Sequence, residues 1–143
     1  MSKITVDVLN RCRKEADEAG LEGADLLRSL PDDVIMEVCN GIGPEWFPPV
    51  LRTAIDKLHP SLIVVSMIHD LMYYLGDGSE EKFREANRIF RSNGYKMAKY
   101  NYGWYNPIRY KVTWDSWKFG NICDDFGRLA YDEAIKDRIE RSK

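Results

Sequence analysis

The chain has 143 residues, of which 44% are hydrophobic, 31% charged and 12% aromatic, enough apolar surface for one core and a single domain over 1–143. Its formal net charge of −2 gives no global pull toward nucleic acid, and its longest apolar run, Ser61 to Ile68, falls far short of the roughly 18 to 20 residues that a membrane helix needs. Three widely spaced cysteines, Cys12, Cys39 and Cys123, and an amino-terminal stretch that meets Asp7 before any apolar run argue against a disulfide framework, a Cys-based zinc site and a secretory leader, and predict a cytoplasmic protein.

From Thr5 to Ala19, Val8, Cys12, Ala16 and Ala19 recur at three- and four-residue spacing and Gly20 can terminate the run, which predicts an amphipathic helix. Ser29, Pro31, Asp32 and Asp33 combine a capping hydroxyl, an early proline and first-turn acids, and predict a short helix to about Val38. Asn40-Gly41-Ile42-Gly43-Pro44 should break it. Pro48-Pro49 opens a further helix from Val50 to Leu58, and Pro60-Ser61 starts the most apolar segment, Leu62 to Leu75, the expected central helix. Ser79 with Glu80 and Glu81 caps a helix running to Ser92, which Asn93-Gly94 should interrupt. Tyr95 to Phe119 is crowded with Tyr and Trp and divided by Gly103 and Pro107. A last helix is expected from Asp124 to Arg141, with Phe126, Leu129, Ala130, Ala134 and Ile135 inward. The fold class is all-α, a small helical domain in which two antiparallel central helices carry the site.

His69 and Tyr73 are four apart on the central segment and share a face, while Asp70 lies about 100° around the helix from His69. An imidazole and an acid in such apolar surroundings need partners or a metal. The plainer use is a satisfied core histidine beside a surface aspartate. Asn87 falls on the stripe Phe83, Ala86, Phe90, where apolar residues belong, and a buried amide needs hydrogen bonds. With only a short turn between the two helices, Asn87 should reach His69 and Tyr73. Gly41 and Gly43 let backbone carbonyls turn toward a hard cation such as calcium, although a plain helix-terminating turn would use the same glycines. A metal site from His59 and His69 is poorly supported, since ten residues is not a ligand spacing and no third histidine exists.

At these residues the chain resembles the phospholipase A₂ superfamily, whose pattern is a loop x-C-G-x-G followed by a helix carrying H-D-x-x-Y. Cys39-Asn40-Gly41-Ile42-Gly43 and His69-Asp70-Leu71-Met72-Tyr73 match the glycines, the pair and the tyrosine. The bacterial and viral branches, which dispense with many disulfides, are nearest in style. The stretch from His69 to Phe90 is also similar to small phage-associated families of unknown function, with H-D-x-x-Y followed by A-D-R-I-F. The resemblance implies that the carbonyls of Cys39, Gly41 and Gly43 with the Asp70 carboxylate bind calcium. It implies that His69 is the general base on a water attacking a phospholipid ester, that the Gly41 amide helps hold the oxyanion, and that Tyr73 fixes the polar network. Asn87 stands where the family has an aspartate, which implies attenuated or absent activity, and Glu45 to Ser61 forms an insertion. The alternative is a non-enzymatic, phage-type interaction or assembly protein on the same helical scaffold.

Between Arg91 and Lys118, six basic residues face Asp115 alone. This basic, aromatic stretch, Arg91 to Phe119, suits a phospholipid or membrane surface, and the same residue types stack on single-stranded nucleic acid. The plainer expectation is that Tyr95, Trp104, Trp114 and Trp117 build the core against the final helix.

Overall fold

The computed structural model describes residues 4–41 and 49–143, and over these the chain is helical, with no strand. Helix α1 spans Val6–Ala19, α2 Ala24–Ser29, α3 Asp32–Gly41, α4 Pro49–Asp56, α5 Ile63–Tyr74, α6 Glu80–Asn101, α7 Pro107–Phe126 and α8 Arg128–Arg141; a 3₁₀ turn, Pro60–Leu62, leads into α5. Local chemistry sets several of these bounds. The Thr5 side chain accepts from the Val8 amide, and Gly20, at φ 68°, closes α1 in the left-handed conformation that glycine adopts at least cost. Ser79 caps α6 through the Lys82 amide, and Asn106 caps α7 through the Ile108 amide ahead of Pro107.

Helix α5 is the hub. Its buried residues, from Val64 through Met67 and Ile68 to Tyr74, leave almost no solvent face, because α3, α6 and α8 all pack against it. Helices α6 and α7 form an antiparallel hairpin whose crossing depends on Gly94: a Cβ there would collide with the Ser116 side chain. Gly120 leaves room in the same way for the stem of Arg91.

Five expectations are corrected. Asn93-Gly94 does not interrupt α6; Asn93 is fully buried, accepts from the Glu22 amide at 2.9 Å and donates to the Glu22 carbonyl at 2.8 Å, so a tertiary partner satisfies it inside the helix. Ser29 ends α2, a short helix without enough turns to show a period, and α3 starts at Asp32. Helix α3 continues through Asn40, whose side chain pairs with both the amide and the carbonyl of Ile4, and it ends at Gly41. The break near the last helix falls at Gly127, so Asp124 belongs to α7; Phe126 and Leu129 are exposed, whereas Ala130 and Ala134 are buried as expected. The aromatics Tyr95, Trp104, Trp114 and Trp117 do not build the core but are each at least half exposed. Part of the expected 45–61 insertion forms α4, which packs on α7.

Candidate functional site

Helices α5 and α6 bring His69, Tyr73 and Asn87 together. His69 Nε2 lies 2.8 Å from Asn87 Oδ1, and the Tyr73 hydroxyl donates to that same oxygen at 2.6 Å. The Asn87 Nδ2 donates to Asp124 Oδ1 at 2.9 Å. A carboxylate can only accept, so the amide nitrogen must face Asp124 and its oxygen must face the imidazole. His69 therefore carries its proton on Nε2, and its Nδ1 lone pair is left for other work. The ring is gripped by aromatics: Tyr73 at 4.2 Å between centroids, Phe90 at 5.4 Å and Phe119 at 6.2 Å. Burial lowers the imidazole pKa from 6.5 to about 4 against the opposing pull of Asn87 and Asp124, so His69 is neutral at physiological pH.

Asp124 is the residue that sequence reasoning missed. Its other carboxylate oxygen accepts from Arg91 Nη1 at 3.0 Å, and Arg84 lies 3.8 Å from the first. A negative charge thus sits one hydrogen bond behind the amide that faces His69. Read as the opening acid of the last helix, Asp124 had no visible tie to Asn87. The signal available was its place beside Cys123 on the inward stripe Val112, Ser116, Phe119, Cys123.

Asp70 points to another environment. Its nearest approach to the imidazole is 4.0 Å, from Oδ1 to Nδ1, and 27% of its side chain reaches solvent. Burial raises its carboxyl from 3.8 to about 7. One turn earlier, the carbonyl of Met67 accepts from the Cys39 thiol at 3.9 Å, so the end of α3 lies beside Asp70. Cys39 and Gly41 both belong to the last turn of α3, where carbonyls have no partner within the helix and the dipole is negative. Gly43 lies outside the described residues. A carboxylate and the end of a helix, where carbonyls have no intrahelical partner, are donors that a hard, oxygen-seeking cation takes. Among the described residues no three His, Cys, Asp or Glu side chains group as a metal site, so such a cation would depend mainly on carbonyls.

His59 is elsewhere: its Nδ1 pairs with the Ser61 hydroxyl at 2.8 Å and caps the 3₁₀ turn. The three cysteines are free thiols, and burial pushes each of them up, Cys12 to about 11. All three stay protonated and unreactive at neutral pH.

No protein-family model matches this chain, and neither a curated protein nor a solved structure does.

Proposed function

We propose that this chain is a phospholipase A₂-like protein, a His69 esterase for a phospholipid ester in which an amide replaces the usual aspartate and attenuates the chemistry. One observation carries the reading: Asn87 Oδ1 accepts from both His69 Nε2 and Tyr73, which fixes the tautomer that leaves Nδ1 as a base. Calcium, held by Asp70 and the carbonyls of Cys39, Gly41 and Gly43, would polarise the ester carbonyl.

The residues of the chain do the rest. His69 Nδ1 takes a proton from a water as its oxygen bonds to the ester carbon; the Gly41 amide, in the last turn of α3 and bonded within that helix, is not free to steady the oxyanion, a task that would fall to the calcium. The proton then passes to the departing alkoxide as the ester C–O bond breaks, leaving a free fatty acid and a lysophospholipid. Tyr73 and Asn87 hold the ring. The weak point is the imidazolium, which a neutral amide stabilises poorly. Asp124 compensates in part, through that amide.

The test is an exchange of the two groups. Asn87→Asp alone sets two carboxylates side by side, and one of them will hold a proton. Asn87→Asp with Asp124→Asn keeps every hydrogen bond and moves the charge next to His69. Hydrolysis of a monomeric short-chain phosphatidylcholine should rise in the double variant, need calcium and vanish with His69→Gln. Losing such an aspartate costs about 10⁴-fold in an unrelated triad hydrolase, so a small fraction of that gain is measurable. An inert double variant, together with no heat on calcium titration of the native chain, leaves the second reading.

That second reading is a phage-type interaction or assembly protein. The observation favouring it is that His69, Tyr73 and Asn87 are buried and bonded to one another, as a purely structural polar cluster would be.

A further inference from the structure

We infer that the outer face of the α6–α7 hairpin is a peripheral docking surface for an anionic lipid bilayer. Tyr110, Trp114 and Trp117 follow one another at helical spacing along α7, on the side opposite Val112, Ser116 and Phe119, which are buried. Their exposures are 57%, 60% and 51%, and at the hairpin tip Trp104 and Tyr105 reach 75% and 76%. Trp114 and Trp117 are stacked at 5.6 Å, each covering the other rather than the core. Every tryptophan among the described residues is therefore spent on this face. Large apolar rings left in water at such density mark a contact surface.

The chemistry of the face selects the occupant. Residues 95–117 include no phenylalanine; the outward rings are Trp and Tyr, which pair an apolar body with a polar N–H or O–H and sit at the headgroup level of a bilayer. Lys99, Arg109, Lys111 and Lys118 flank them; Asp115 pairs with Lys111 at 2.8 Å, which leaves Lys99, Arg109 and Lys118 as the net positive charge of the face in a chain whose net charge is −2. An anionic surface would pull this face inward and push the remainder away. Lysine is depleted at protein–protein contacts. Lys57, Lys111, Asp115 and Lys118 also border a cavity of about 590 Å³ between α4 and α7, whose apolar lining includes Ala54, Leu58, Phe119 and Ile122. A slot of mixed lining, with three lysines interrupted by Asp115, suits an acyl chain with an anionic head better than a nucleotide, which needs a continuous basic groove. No described helix is long and apolar enough to cross a membrane, so the contact is superficial.

The inference does not depend on the hydrolase reading, since an inert relic would bind equally well. It is tested on the full chain with chelator present, by flotation with phosphatidylcholine vesicles with and without phosphatidylserine. The chain should float with the anionic vesicles and be released by high salt. Lys99→Ala and Lys118→Ala should each weaken binding about fivefold, and Trp114→Ser/Trp117→Ser about tenfold or more, with unchanged circular dichroism. Three results would overturn it: no flotation with anionic vesicles, equal binding to both vesicle types that the lysine variants leave unaltered, or tighter binding of an oligodeoxythymidylate lost in the same variants.

Discussion

The cluster around Asn87 and the outer face of the α6–α7 hairpin both invert the usual partition of residues, in opposite senses. In the first, an imidazole, a phenol and an amide lie where α5 and α6 bury almost everything else. In the second, tryptophan and tyrosine stand in water while Phe90, Met97, Val112 and Phe119 fill the interior of the same helix pair. Folding energy explains neither arrangement alone, because apolar groups at Asn87 and polar groups at Trp114 would cost less. The buried exception is internally satisfied, and removing one member strands the others. The surface exception is unsatisfied within the chain and can be removed without disturbing the fold.

The largest effect should therefore follow from Asn87→Leu, which leaves His69, Tyr73 and Asp124 without their shared partner. We expect a loss of roughly 3–5 kcal/mol in urea denaturation, or failure to fold, as for breaking a buried polar network. If the loss is below about 1 kcal/mol, the cluster is not the coupled unit described.

Next is Asp70→Asn, measured in chelator across pH. The carboxyl titrates at about 7 in the fold against 3.8 outside it, so the native state binds the extra proton between those values and wild-type stability falls as pH rises from about 4 to 7. The variant should be more stable than wild type at pH 8 by on the order of 2–3 kcal/mol, and the two should converge as pH falls toward 4. His69 acts with the opposite sign. Its pKa is lowered to about 4, so its neutral form supports the fold above 6.5, and that support is lost as pH falls from 6.5 to 4. A stability gap between Asp70→Asn and wild type that stays constant across pH would contradict the burial assigned to Asp70.

Gly94→Val tests the joint between the two regions. The added side chain meets Ser116 and must push α7 away, costing about 1–3 kcal/mol. Because α7 also carries Asp124, the same change should loosen the imidazole, visible as an altered His69 titration by NMR. The smallest effect belongs to Trp114→Ser, expected within about 0.5 kcal/mol of wild type. A cost as large as that of a buried aromatic would make the hairpin face part of the core after all.

Much of the fold was written in short-range pattern. The stop of α1 at Gly20, the apolar run of α5 and the acids after Ser79 act within a turn or two of the residues they control, so local spacing predicts them. The meeting of His69, Tyr73 and Asn87 was also legible, because an amide on an apolar stripe needs a partner and the short turn after α5 leaves few places for one. What the sequence by itself determined about this protein is thus its helical class, its central helix and the inner half of its site. Tertiary structure alone decided that α6 runs on past Asn93 and Gly94, because Glu22 and Ser116 satisfy them from segments distant in the chain. It decided that Asp124 stands behind Asn87, and that the aromatics of α7 face water, because an aromatic crowd carries no sign of inward or outward until the partner helix has taken the other side. Backbone and side-chain groups satisfied from afar, and faces assigned by what packs against them, leave no local signature in a single chain of residues.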